Sequence, residues 1–317
     1  MKDKIKRNIF ITLLISVVIY FLMVIYGDYS SVLTAFKLFN WKFIPLIFLI
    51  IYVTFLLKFL KWQYYLKLIG VNLKLKDSFH IFMASLTMSF TPGKIGDFIK
   101  SYMVREIDGT APSKTIPIIF ADKITEFAAL IVSVMIGVDM LHKGIIMLSL
   151  SVLMLVLLLY LVFNNNFIDW FFLRLKRIKL FAKYIAPFNQ SLLNSQIALK
   201  PKPFFLMFLL SLLIWIIEAA AFFIIIYGFQ INIGVSGTFF TYFFSIFVGS
   251  VSFFPAGLGI TDGSIAILLT NYGIHESISI SVALIIRVAT LWFAMLVGSI
   301  SMLIVIRRNK NLINNIF

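Results

Sequence analysis

Phe90-Thr91-Pro92-Gly93-Lys94-Ile95-Gly96-Asp97 and Phe254-Pro255-Ala256-Gly257-Leu258-Gly259-Ile260-Thr261-Asp262 are two places where proline and glycine break a long apolar run of this chain. The first interrupts a stretch from Phe79 to Arg105, the second a stretch from Thr238 to Tyr272. The arms around each break are mostly about ten to eighteen residues long, short for a helix crossing a hydrocarbon core of roughly 30 Å. They fit helical hairpins that enter a membrane and return by the same face. The tips of such hairpins must be buried in protein or line a cavity, because lipid cannot satisfy free backbone groups. Each second arm runs on to a glycine, Gly109 or Gly273. Fourteen residues beyond that glycine a cation, Lys123 or Arg287, stands inside the next apolar run.

The composition around these breaks is that of a membrane protein. Of 317 residues 61% are hydrophobic and 13% charged, where a soluble domain carries about 25% charged residues. A soluble enzyme and a disordered chain are both excluded. The net charge of +15 would suggest nucleic acid in a soluble protein; in a membrane protein it points to basic cytoplasmic loops, and no nucleic-acid partner is expected. There is no cysteine, and His80, His142 and His275 are scattered, so neither a metal site nor a cofactor is expected.

Candidate spans lie near 8–26, 43–66, 115–138, 143–163, 203–228 and 277–305. The first follows a basic N-terminus without a small-x-small cleavage site and reads as a retained anchor rather than a signal peptide. Starting inside, crossing at each span and returning each hairpin to its own side puts 23 of the 28 basic residues in the cytoplasm. Three, Lys37, Lys42 and Lys143, fall outside, while Lys123 and Arg287 stay within spans. The bias runs in the positive-inside direction, with both termini cytoplasmic, as in a multi-pass protein of the cell membrane.

In this topology the first hairpin enters from the cytoplasm and the second from outside. The expected fold is an all-α, polytopic helix bundle with two inverted repeats, each containing a re-entrant hairpin broken by proline and glycine: Pro92, Gly93 and Gly96 in one, Pro255, Gly257 and Gly259 in the other. The whole chain, 1–317, forms one membrane domain. It divides into an anchor at 8–26, repeat 1 at 43–138 (hairpin 79–105), a connecting helix at 143–163, a cytoplasmic basic linker at 164–202, and repeat 2 at 203–305 (hairpin 238–272). Inverted repeats with broken helices near the midplane are a recurring build of secondary transporters.

Charges inside spans cost several kcal/mol unless they are paired or face a cavity. Asp122 and Glu126 share one face of 115–138 with Lys123 beside them, Glu218 lies near the middle of 203–228, and Asp97 and Asp262 follow the two breaks. Structural pairing accounts for some of this set; Glu218 with Arg287 is the obvious pair, and Lys58 or Lys61 with Asp122 or Glu126 another. Retaining so many charges argues for a polar cavity, since buried pairs rarely stabilise more than apolar packing does. Glycine-rich turns opening helices form anion sites. Lys94, Lys123 and Arg287 would hold a phosphate there, while the carboxylates Asp97, Asp122, Glu126, Glu218 and Asp262 accept an amine or sugar hydroxyls. A phospholipid or polyprenyl phosphate fits that description.

At these residues the sequence resembles the lysylphosphatidylglycerol synthase transmembrane region, also called the flippase-like family. Pro92-Gly93-Lys94-Ile95-Gly96-Asp97 is similar to that family's Pro-Gly-x-x-Gly-Glu, and Asp122-Lys123-Ile124-Thr125-Glu126 to its Glu-Arg-x-x-Asp. Phe254-Pro255 through Gly259 is similar to its second Pro- and Gly-rich element, and Arg287 stands where the family has an in-span arginine. Asp262 departs from the usual glutamate. The likeness runs from about residue 10 to residue 305. It implies an integral membrane domain that moves lipids between leaflets. The tail after Arg307-Arg308-Asn309-Lys310 leaves no room for the soluble aminoacyl-transferase domain of some members, so lipid aminoacylation is not expected. Relatives assigned to glycosyl transfer from polyprenyl-phosphate sugars keep an enzyme as the alternative, although no Asp-x-Asp is present. A non-transporting assembly subunit is the third reading.

The stretch 164–202 holds Arg174-Leu175-Lys176-Arg177-Ile178-Lys179, followed by aromatic and aliphatic residues at helical spacing. It reads equally as a helix on the anionic inner leaflet or as a solvated linker. Ala294-x-x-x-Gly298 permits close helix packing, within the chain or in a homodimer. No nucleotide-binding motif is present, so direct ATP use is not expected.

Overall fold

The computed structural model describes residues 27–88, 97–135, 197–252 and 254–308, together with isolated residues between 18 and 25 and between 149 and 174. Helix is the only extended secondary structure among the described residues. The expected spans 8–26 and 143–163, and the basic linker 164–202, fall largely outside them. So do Pro92, Gly93, Lys94 and Gly96 of the first break.

Among the described residues ten α-helices follow one another. Helix α1 (Tyr29–Leu38) begins at Asp28, whose carboxylate accepts from the Ser31 amide at 3.1 Å and from the Ser30 and Ser31 hydroxyls at 2.7 Å. Those bonds hold the Asp28 carboxyl below the usual carboxylate range. After a 3-10 turn at Trp41–Phe43 comes α2 (Ile44–Leu68), with Pro45 in its first turn, where the missing amide costs nothing. Next are α3 (Leu75–Ser85), α4 (Ile99–Asp108) and α5 (Pro112–Met135), with Gly109 in the left-handed conformation that ends α4. The second half holds α6 (Pro201–Gly228), α7 (Gly234–Val251), α8 (Ile260–Asn271), α9 (Glu276–Arg287) and α10 (Phe293–Arg308).

Four stretches of the described residues are long and apolar enough to cross a membrane: Trp41–Leu68, Pro201–Gly228, Gly234–Val251 and Glu276–Arg308. The expected span at 115–138 is the 24-residue α5, long enough to cross but carrying Asp122, Lys123 and Glu126. The expected span at 277–305 is α9 and α10 joined by a π-helical turn at Val288–Trp292, directly after Arg287. The second apolar stretch also differs from expectation. Its first arm, α7, starts at Gly234 and has 18 residues, whereas α3, α4 and α8 have 11, 10 and 12. At 1.5 Å per residue those three shorter helices reach only about 15–18 Å.

Helix pairing follows one scheme in both halves. Helix α2 packs on α3, α3 on α4 and α4 on α5; correspondingly α6 packs on α7, α7 on α8 and α8 on α9. Across the halves α2 packs on α6, α5 on α7, and α10 on α3. Ile47, Ile51 and Phe55 of α2, Phe222 and Ile225 of α6, and Phe240 and Phe243 of α7 are buried in one continuous core. Leu49, Phe205, Leu209, Leu296 and Leu303 face outward instead, as helices surrounded by lipid do. Gly298 lets α10 approach the end of α3: a Cβ there would lie 2.5 Å from the Thr87 amide nitrogen and 3.0 Å from the Leu86 carbonyl carbon. The small-residue position is thus in use within the chain.

Candidate functional site

Lys123, near the middle of α5, has two carboxylate partners. Its ammonium lies 2.7 Å from Asp97, just before α4, and 3.0 Å from Glu126, one turn further along its own helix. One turn of helix also separates Asp122 from Glu126, and Asp122 pairs with Lys61 of α2 at 2.7 Å. Lys61 is almost fully buried and donates in addition to the Ser211 hydroxyl of α6 at 2.7 Å and to the Asp122 carbonyl at 3.2 Å. Trp215 of α6 donates its indole N–H to the Glu126 carbonyl at 3.1 Å, fixing α6 against α5. Helices α2, α5 and α6 and the start of α4 therefore converge on one polar centre.

A cavity of about 100 Å³ lies at that centre, lined by Lys58, Lys61, Lys100, Lys123, Asp97, Asp122 and Glu126, with Phe82, Trp215 and others as its apolar wall. Lys58 pairs with Glu218 of α6 at 2.7 Å, and Glu218 also accepts from the Tyr242 hydroxyl of α7 at 2.9 Å. Each of these carboxylates thus holds a lysine in place. In an apolar bundle such paired, hydrogen-bonded charges are the form in which ions persist. Chemically the cavity can bind an oxyanion at its lysines and hydroxyl or amine groups at its carboxylates.

The second half carries a different cluster. Arg287 pairs through Nε with Asp262 at 2.5 Å and donates through Nη2 to the Gly257 carbonyl at 3.1 Å. The other Asp262 oxygen accepts from the Gly259 amide at 2.9 Å, at the start of α8. Asp262 is fully buried and Arg287 nearly so. The arginine therefore fastens the Pro255–Gly257 turn.

Of the residues expected in one site, the fold brings together Asp97, Asp122, Lys123 and Glu126, with Glu218 behind Lys58. Asp262 and Arg287 do not line that cavity; they satisfy each other. The expected Glu218–Arg287 pair is replaced by Lys58–Glu218 and Asp262–Arg287, because Glu218 lies on the α2-facing side of α6. The expected link from Lys58 or Lys61 to the α5 carboxylates is present as Lys61–Asp122. Lys94 lies outside the described residues. Lys100, Ser211, Trp215 and Tyr242 join the site without having been expected there. Lys58, Lys61 and Lys100 count with the cytoplasmic loops by sequence, whereas Lys61 and Lys100 are buried and Lys58 is half-buried within a span. Among the described residues no group of three His, Asp or Glu side chains is arranged to hold a metal ion.

A bundle of apolar helices around an ion-lined cavity defines an integral, multi-pass membrane protein. The chain belongs to the lysylphosphatidylglycerol synthase TM region family, whose model matches residues 9–298. It is also similar to a UPF0104 membrane protein of Methanothermobacter thermautotrophicus, with 28% identity over 93 residues; that stretch is 29% of this chain and 28% of the relative.

Proposed function

We propose that the protein moves a phosphate-bearing lipid between the leaflets of the cell membrane, through the cavity between α2, α5 and α6. The observation that carries this reading is that cavity: four lysines and three carboxylates within an apolar bundle whose outer surface is lipid-like. The family name, a transmembrane region of a phospholipid-modifying enzyme, supports a lipid as the cargo.

An inverted arrangement of two repeats, 43–138 and 203–305, underlies the proposed mechanism. Contacts at the bundle's ends support it. Arg308, at the end of α10, pairs with Asp77, at the start of α3, at 3.4 Å. At the other end the Asn40 amide donates to the Gly228 carbonyl at 3.0 Å, and α1 packs on α9. In the proposed arrangement the first hairpin has both its ends on the cytoplasmic side with the C-terminus, and the second has both on the outside. The short reach of α3, α4 and α8 fits entry and return better than crossing. Transport proceeds by the two hairpins opening in turn. In this structure the first half presents the cavity, while Asp262 and Arg287 fasten the second.

Purified protein reconstituted into vesicles with a fluorescent phospholipid in one leaflet tests the reading. Transfer to the other leaflet is expected, with loss on Lys123→Ala but normal membrane insertion. Transfer at the wild-type rate by Lys123→Ala would remove Lys123 from the mechanism; no transfer by the wild-type protein with any phospholipid or polyprenyl phosphate would remove the function.

A further inference from the structure

Lys58, Lys61 and Lys123 each pair with a carboxylate, but Lys100 does not. It is 3% exposed, and among the described residues no carboxylate lies within ion-pair distance of it. What surrounds its ammonium is aromatic: the Trp62 ring centroid at 5.2 Å and the Phe82 ring centroid at 5.3 Å. Trp62 is itself held by an N–H···O bond to Ser78 at 3.2 Å, and both rings are buried. Cation–π contact recovers only part of what an ammonium loses on leaving water.

Lys100 is the second residue of α4, and the residue before that helix, Phe98, supplies no side-chain cap. This turn lines the cavity through Lys100, and α4 continues directly from the turn that holds Asp97 and Phe98. A lysine is unfavourable in a first helical turn, where acidic residues are preferred. An acidic group supplied by a ligand reverses that penalty and pairs the buried ammonium at once.

We infer that Lys100 forms the anion subsite of the cavity, which takes the phosphate group of the ligand, with Trp62 and Phe82 walling it from lipid. The inference rests on the transport reading and deepens it by naming the residue that grips the cargo. Lys123, already neutralised by Asp97 and Glu126, positions those carboxylates for the rest of the head group. A cavity of about 100 Å³ has room for a phosphate and a few attached atoms but not for an acyl chain. A lipid phosphate and a free phosphate share this chemistry.

Calorimetric titration of the full-length protein in neutral detergent distinguishes them. The probes are dihexanoylphosphatidylglycerol, inorganic phosphate, and dihexanoylglycerol, which lacks the phosphate. Phosphatidylglycerol binding is expected to weaken by about tenfold or more in Lys100→Gln and to be largely retained in Lys100→Arg. Dihexanoylglycerol should be indifferent to both changes. Equal Lys100-dependent affinity for inorganic phosphate would make free phosphate the ligand and overturn the lipid assignment. Unchanged phosphatidylglycerol affinity in Lys100→Gln, or no saturable binding of either phosphate probe to wild type, overturns the subsite. Should Lys100→Gln fail to fold, acetylation of wild-type Lys100 followed by peptide mass spectrometry decides instead: phosphatidylglycerol must protect it relative to exposed Lys76, and equal modification with and without probe overturns the subsite. Lys100-dependent binding without leaflet transfer would defeat the transport reading alone. Transfer with Lys100-independent binding would defeat the subsite alone.

Discussion

Lys58 and Glu218 pair at 2.7 Å and hold corresponding places in α2 and α6. Each lies twelve residues before the positive-φ residue that ends its helix, Gly70 at 68° and Gln230 at 58°. The turns match as well: Val71 donates to the Leu66 carbonyl at 3.0 Å, and Ile231 to the Ile226 carbonyl at 3.2 Å. The bridge thus joins like positions of the two proposed repeats, where α2 and α6 pack together. Removing one partner strands the other. Glu218→Gln is expected to destabilise the protein by about 3 kcal/mol, the low end for a broken buried pair because Lys58 keeps some exposure. Adding Lys58→Met should recover most of that loss, since the amide oxygen that replaces the Glu218 carboxylate still accepts from Tyr242. Thermal unfolding in detergent measures both, and a double variant no more stable than the single one would refute a direct pairing.

Arg287 and Asp262 form the counterpart of Lys123 and Asp97, 25 residues apart in the chain where the latter are 26 apart. The chemistry differs. A lysine at 287 can still pair with Asp262 but cannot fork to the Gly257 carbonyl, so Arg287→Lys should cost about 1.5–3 kcal/mol, the range for a hydrogen bond to a charged group. Arg287→Ala leaves a buried carboxylate alone and should cost about 3–5 kcal/mol. Combining Arg287→Ala with Asp262→Asn removes the stranded charge. Stability and leaflet transfer are expected to return together. Stability without transfer would mean that Arg287 touches the cargo.

The second Pro-Gly break and the cations fourteen residues after Gly109 and Gly273 were legible because glycine, proline and buried charge are rare in apolar spans and their spacing survives as sequence. The Lys123 and Asp97 neighbourhood followed from that spacing. Which cation Glu218 meets was not legible, since that depends on the rotation of α6 about its axis, and the rest of α6 is almost uniformly apolar. Lys100 was hidden for a related reason. It sits among Lys94, Arg105 and Lys114, where a basic residue reads as a cytoplasmic loop, and only the packing of Trp62 and Phe82 over it reveals burial.

Gly298 of α10 meets the backbone of Leu86 and Thr87 as well as the Thr87 hydroxyl, and that backbone cannot easily yield. Gly298→Ala is expected to destabilise by about 1–3 kcal/mol through overpacking. By contrast Gly70→Ala meets open space and loses only through its positive φ, about 1–2 kcal/mol. Unfolding midpoints of the two variants check this, and Gly298→Ala should also expose the first hairpin to proteolysis. An unchanged midpoint would mean that α10 is free to shift away from α3.

The chain has no cysteine, so single cysteines report sidedness directly. Gly257, at the second break, is a poor probe position. Its φ is 63°, and an added Cβ would come within 2.6 Å of the Thr261 hydroxyl and 3.2 Å of the Gly249 Cα. The hairpin ends serve better: Asn72 and Ala111 bracket the first hairpin, Asn232 and Asn271 the second, and all four are exposed. Membrane-impermeant maleimide on sealed cells should leave Asn72→Cys and Ala111→Cys unlabelled until lysis, and label Asn232→Cys and Asn271→Cys at once. The second pair is the sharper test, because among the described hairpin arms α7 alone is long and apolar enough to cross. Labelling of Asn232→Cys but not Asn271→Cys would make α7 or α8 a crossing helix, put Arg308 outside, and end the inverted arrangement. Labelling of both keeps the second hairpin re-entrant and leaves the two halves opening to opposite sides.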